Sequence, residues 1–167
     1  TILINNAGII RRELAVSFEE KDWDEVMEVN LATPFFLSRE LAKQWIDGGL
    51  RGKVINIASM LSYQGGIRVS SYTASKHAIQ GITRTLANEW APYGINVNAI
   101  APGYMATDNT EALRNDKARY EEILGRIPYG RWGKPEDLVG AAVFLASGAS
   151  DYVCGHTIAV DGGWLSR

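Results

Sequence analysis

Four short apolar runs, each closed by a turn sequence and separated from the next by a helix-length segment, constrain this chain most. Ile2-Leu3-Ile4 enters Asn5-Asn6-Ala7-Gly8, and Lys53 to Ser59 reads KVINIAS. Ile95 to Ile100 reads INVNAI and leads into Pro102-Gly103, and Thr157 to Val160 ends at Asp161-Gly162-Gly163. A run that is apolar throughout, such as Ile2 to Ile4, suits a sheet covered on both faces. Strands that alternate with helices build a parallel sheet through right-handed crossovers. The carboxyl ends of parallel strands share one edge, where open α/β sheets bind ligands. Asn6-Ala7-Gly8, Ser59 and Pro102-Gly103 each follow a strand end and are expected to meet there.

The intervening segments carry helical signals. Ser17-Phe18-Glu19-Glu20 reads as a capping box that starts a helix. Trp23, Val26, Met27 and Leu31 repeat at helical spacing and mark its inner face. Pro34 interrupts that pattern, and a second helix is expected from there to about Asp47, ended by Gly48-Gly49. Ser70 or Ser71 is expected to cap a long helix ending near Trp90. The charged segment from about Thr110 to Arg126 reads as a surface helix. Pro135-Glu136-Asp137 opens another that runs to about Ala146. Thr1 to Asn5 reads as a buried strand, although the sequence opens without an initiator methionine.

The length of 167 residues fits one domain, spanning 1–167, with no internal repeat or linker. A formal net charge of −2 and the lack of a basic run argue against a nucleic-acid surface. No apolar stretch is long enough to span a membrane and no signal-peptide pattern opens the chain, so a cytoplasmic location is expected. Cys154 is the single cysteine, which leaves no internal disulfide, and it reads as inert. His77 and His156 lack metal-ligand spacing to other donors, so both read as structural and no catalytic metal is expected.

Tyr72-x-x-x-Lys76 carries the chemistry. Residues four apart lie one helical turn apart on one face. A free phenol with a pKa near ~10 is a poor base at neutral pH. A cation beside it favours the phenolate. Such a tyrosine can give a proton to a carbonyl oxygen or take one from an alcohol. Ser59, thirteen residues before Tyr72, is placed to aim the substrate oxygen at the phenol. Asn30 falls on the face marked by Val26, Met27 and Leu31, and a buried amide needs partners. Pro34 has no N–H for the Asn30 carbonyl, which is then free to hold a water.

Asn5-Asn6-Ala7-Gly8, Asn30, Ser59, Tyr72-Thr73-Ala74-Ser75-Lys76 and Pro102-Gly103-x-x-x-Thr107 resemble, in order and spacing, the short-chain dehydrogenase/reductase family. The resemblance implies an α/β fold with a doubly wound, Rossmann-type parallel sheet. It implies a nicotinamide cofactor, NAD with NADP as the other possibility, and a homotetramer packed through the long helices. It assigns Asn30, Ser59, Tyr72 and Lys76 to catalysis, with the Asn30 water continuing a proton path from Lys76. Lys76 is further expected to hold the ribose of the nicotinamide half. Asn6, Ala7 and Gly8 are expected beside the adenosine half. Pro102, Gly103, Met105 and Thr107 are expected at the carboxamide.

Longer stretches, from Asn5 to Glu13, Ile57 to Val69, Ala101 to Thr107 and Val160 to Trp164, resemble members that act on sugar acids. That implies interconversion of a ketone and a secondary alcohol on a small-molecule sugar-acid substrate. Such a substrate carries a carboxylate, for which arginine is the natural two-point partner. Arg11, Arg12 and Arg68 lie in loops near the expected mouth, and Tyr63, Gln64 and Tyr104 are candidates for its hydroxyls. The other readings are a gluconate 5-dehydrogenase or a 3-oxoacyl-carrier-protein reductase of the same family, or a non-catalytic binding fold. The family's glycine-rich phosphate loop, Thr-Gly-x-x-x-Gly-x-Gly, does not occur in the sequence. By resemblance, then, the chain corresponds to the C-terminal two-thirds of a member, lacking the first βαβ half. An exposed sheet edge and uncovered apolar faces are the expected consequence.

Overall fold

A computed structural model describes residues 1–167. Four parallel strands form one sheet in the order β1 (Ile2–Asn5), β2 (Gly52–Ile57), β3 (Ile95–Pro102), β4 (Thr157–Val160). Register pairs such as Asn5 with Asn56, Asn56 with Ala99, and Pro102 with Val160 bring the strand ends level at one edge. Between β1 and β2 lie α1 (Glu20–Met27) and α2 (Thr33–Asp47). The long α3 (Ser70–Trp90) joins β2 to β3. Then α4 (Glu111–Asn115), α5 (Lys117–Arg126) and α6 (Val139–Ala146) lead to β4. No helix is long and apolar enough to cross a membrane.

Strand alternation sorts the core onto two faces. Val54, Ile95 and Val97 pack with Ala42 and Trp45 of α2 and with Leu86, Ala87 and Trp90 of α3. Ile55 and Ile100 turn the other way and pack with Leu145 of α6. A polar ladder crosses the α2/α3 face. Asn5 Nδ2 donates to Asn56 Oδ1 at 2.7 Å and to Ser38 Oγ at 3.0 Å, and Asn56 Nδ2 donates to Thr83 Oγ1 at 2.9 Å. Buried amides with their partners in place tie both helices to one strand register.

Four expectations about local structure need correction. Glu19, not Ser17, precedes α1, and no side-chain capping bond forms there; Ala15–Ser17 is a separate 3₁₀ turn. Ser70 is already helical, and Val69 precedes it without a cap bond. The charged stretch is not one helix: it breaks at Asp116, whose carboxylate accepts from the Ala118 and Arg119 N–H groups and starts α5. Ile2 and Ile4 are 54% and 45% exposed rather than buried: Leu3 packs against the α2/α3 side, and no helix covers the opposite face of the edge strand β1.

Candidate active site

Each strand end delivers one part of the site, as the parallel sheet requires. Beyond β2 the chain turns at Ser59, a buried residue whose Oγ accepts from the Leu61 N–H at 3.1 Å. Beyond it, α3 presents Tyr72 and Lys76 one turn apart. The Ser59 side chain stands close enough to the Tyr72 phenol to bear on its ionisation. Tyr72 keeps part of its surface open, while its hydroxyl is desolvated. Burial raises the phenol's pKa, against the Ser59 hydroxyl and the Arg12 charge, which lower it.

Lys76 stands beside the Tyr72 ring and bonds to the end of β2 rather than to the phenol oxygen. Its amine lies 5.5 Å from the centre of the Tyr72 ring and donates to the Ile57 carbonyl at 2.7 Å. It is 4% exposed, and burial holds its pKa down at about 8. No carboxylate accompanies it, so near neutral pH a proton on this amine is held by hydrogen bonding and not by an ion pair. A second cation, Arg12, also bears on the phenol and lowers its pKa.

Asn30 sits where the helix changes its winding. Through Glu28–Ala32 the backbone forms a π-turn, with the Thr33 N–H donating to the Glu28 carbonyl, and Pro34 then opens α2. Such single π-turns recur at functional sites. The 1% exposed Asn30 amide faces the loop after β1, taking a bond from the Ile9 N–H at 2.8 Å and giving one to the Ile9 carbonyl at 2.9 Å. Its Nδ2 also reaches Ser75 Oγ at 3.2 Å, and Ser75 Oγ donates to the Tyr72 carbonyl at 2.8 Å. Asn30 thus links the β1 loop to the helix that carries Tyr72.

The loops proposed for a nucleotide line the same edge. Asn6 and Ala7 are exposed. A Cβ on Gly8 would stand 3.4 Å from Asn30 Oδ1 and 3.7 Å from Lys76 Nζ, so the missing side chain leaves room in front of both groups. Pro102 ends β3, and the Gly103 N–H donates to the Val160 carbonyl at 2.9 Å. The Met105 side chain turns toward Gly133, and Thr107 opens a short 3₁₀ turn with Thr110. A buried unpaired ammonium, an uncovered glycine and backbone groups at strand ends fit a nicotinamide ribose.

The three arginines separate clearly. Arg11 is engaged by Glu25 at 2.7 Å and Asp22 at 3.8 Å. Arg68 stands at φ 63°, 3.9 Å from Glu13. Arg12 has no carboxylate partner; its one hydrogen bond goes to the Asn109 carbonyl at 2.9 Å, across the mouth from the segment after β3. The residue is exposed at the rim, yet its guanidinium is desolvated enough to lower its pKa, and it couples to Tyr72 and Tyr104. The Tyr104 ring packs edge-on between Trp132 and Trp164 at 5.5 and 4.7 Å, and Tyr63 is exposed. His77 Nδ1 faces the Thr73 carbonyl at 3.0 Å, and the backbone N–H of His156 donates to Asn98. Neither histidine joins the site. Sequence reasoning assigned no role to the Ser62 and Ser75 hydroxyls, which bond to the α3 backbone; the Ser59-x-x-Ser62 spacing is the one signal that hints at either.

Residues 1–165 match a family described as enoyl-(acyl carrier protein) reductase. The chain is 69% identical over 166 residues to the 2-dehydro-3-deoxy-D-gluconate 5-dehydrogenase of Dickeya dadantii, covering 99% of this chain and 66% of that protein. It is 67% identical to the protein of the same name from Escherichia coli, at the same coverage. A crystal structure from Agrobacterium tumefaciens, provisionally assigned as a 2-deoxy-D-gluconate 3-dehydrogenase with bound NADP, superposes with a TM-score of 0.98 at 64% identity. That match covers 99% of this chain and 68% of the other. The chain therefore spans about two-thirds of the length of the relatives it matches.

Proposed function

The chain belongs to the short-chain dehydrogenase/reductase family, and from that premise we propose that it carries the catalytic centre of an NAD(P)-linked sugar-acid dehydrogenase. The substrate class is that of its relatives' names, 2-dehydro-3-deoxy-D-gluconate or 2-deoxy-D-gluconate, and the reaction interconverts a secondary alcohol and a ketone. The observation that carries this reading is the Ser59 hydroxyl beside the Tyr72 phenol, with Arg12 unpaired at the same mouth.

The bound nicotinamide supplies or accepts the hydride. Tyr72, protonated at neutral pH by its burial, gives its proton to the ketone oxygen in reduction. In oxidation it takes the alcohol proton. Ser59 holds that oxygen against the phenol, and Arg12 pairs with the substrate carboxylate while favouring the phenolate. Lys76 would leave the Ile57 carbonyl for the ribose hydroxyls, and Asn6, Ala7, Gly8, Pro102, Gly103, Met105 and Thr107 would line the rest of the nucleotide. NADP in the Agrobacterium structure favours including NADP beside the NAD that the sequence suggested. Association as a homotetramer through the long helices is part of this reading.

The test is a substrate panel with the intact protein and both nucleotides. Oxidation of 2-deoxy-D-gluconate is expected. Turnover of 3-oxoacyl thioesters alone would replace the sugar-acid reading.

A further inference from the structure

Ser59 and Lys76 are joined by a residue that neither the motif nor the proposed reaction includes. Ser62 is 3% exposed, and its Oγ donates to the Lys76 carbonyl at 2.6 Å while accepting from the Ser59 N–H at 3.3 Å. Its own N–H donates to the Ser59 carbonyl at 2.9 Å. Lys76 lies inside α3, where its carbonyl already serves the helix, so Ser62 uses the second lone pair of that oxygen. One hydroxyl therefore bonds the Ser59 turn to the helix turn that carries Lys76. Without it, the buried Ser59 N–H would lose the only side-chain partner it has.

We propose that Ser62 is a positioning residue for the reaction: it sets where the Ser59 hydroxyl stands relative to Tyr72 by fastening the Ser59 turn to α3. It does not touch substrate. The Ser59 side chain has one backbone bond of its own, from the Leu61 N–H, and that bond lies inside the same short turn. It cannot fix the turn against the helix. The Ser62 bond to Lys76 does so, across 14 residues of sequence. Placement of this kind matters because a shift of about 1 Å at a reacting group can cost on the order of 100-fold in rate.

This inference rests on the dehydrogenase reading for its kinetic arm alone. In the intact protein, Ser62→Ala is expected to lower kcat on 2-deoxy-D-gluconate by on the order of 10- to 100-fold, with KM changed by less than about 3-fold. The rising, acid-side limb of the oxidation profile should move to higher pH, since Ser59 then supports the phenolate less well. In a Ser59→Ala background the same substitution should cost far less. Amide exchange at Ser59 should quicken in Ser62→Ala, and Ser62→Thr, which keeps the hydroxyl, should recover both rate and protection. Should the alanine variant fail to fold, Ser62→Cys retains the volume with a weaker donor and is expected to show the same losses. A folded variant with unchanged kcat, a rise confined to KM, full additivity with Ser59→Ala, or unchanged Ser59 exchange would overturn the proposal. If the unsubstituted protein oxidises no sugar acid, the functional reading fails, and the Ser59 exchange arm still decides the role of Ser62.

Discussion

The Lys76 amine donates to the Ile57 carbonyl at 2.7 Å. A lysine so placed is anchored to the end of β2 and sits beside the Tyr72 ring without bonding the phenol oxygen. Arg12, on the loop after β1, adds a charge that lowers the phenol's pKa. Lys76 is thus tied to the end of β2, while Arg12 reaches across to the segment after β3.

Burial sets the pH response of Lys76. Its folded pKa of about 8 lies below the ordinary 10.5, so between those values the unfolded chain binds more protons. Stability contributed through this residue is therefore lowest below pH 8 and rises as pH climbs toward 10.5. The stability of the unsubstituted protein relative to Lys76→Met should increase by about 3 kcal/mol across that window. Denaturant midpoints for both proteins, taken near pH 7 and near pH 10, check this, since other groups cancel in the difference.

Arg12 is expected to select for a carboxylate. Charge-assisted bonds contribute about 1.5–3 kcal/mol, so Arg12→Leu should raise KM for 2-deoxy-D-gluconate by on the order of 10- to 100-fold. A neutral analogue should be affected far less. Arg12→Lys should recover little, because a point charge does not reproduce the planar fork. The same leucine variant should move the rising, acid-side limb of oxidation upward in pH, since Arg12 lowers the Tyr72 pKa. Steady-state kinetics across pH on the two substrates reads both effects.

Asn30 ties the β1 loop to the catalytic helix through Ile9 and Ser75. Asn30→Ala leaves the Ile9 N–H without its side-chain acceptor and empties a buried position. A loss of about 3 kcal/mol in unfolding free energy is expected, with faster amide exchange at Ile9. Calorimetry together with exchange at that amide provides the check.

Gly103 tests the loop after β3 in the same way. A Cβ there would stand 2.5 Å from the Asp161 Cα, which is backbone and cannot swing aside. Gly103→Ala should therefore displace the segment and destabilise the fold by about 3 kcal/mol. Gly65→Ala, at a position with open space, serves as the control and should be close to neutral.

What the sequence disclosed follows from how local each feature is. Strand ends were legible because a parallel sheet must place Gly8, Ser59 and Gly103 on one edge, whatever the details of packing. The break at Asp116 was not, since one carboxylate reaching two backbone N–H groups outweighed an otherwise helical composition. The Ser17 pattern matched a capping box, yet the chain took a 3₁₀ turn first and α1 began at Glu20. Arg11 and Arg12 are neighbours of the same type. Only α1, by bringing Asp22 and Glu25 to one of them, decides which stays unpaired. The direction of the Lys76 amine likewise depends on a carbonyl 19 residues away.

The most direct test of the account is turnover in Tyr72→Phe. The variant keeps the ring beside Lys76 and loses only the hydroxyl whose ionisation Ser59 and Arg12 favour. NAD(P)-linked oxidation of 2-deoxy-D-gluconate by the intact protein should fall by on the order of 100- to 10,000-fold, with nucleotide affinity and thermal unfolding unchanged. Turnover within a few-fold of the unsubstituted protein would contradict the assignment of proton transfer to this phenol.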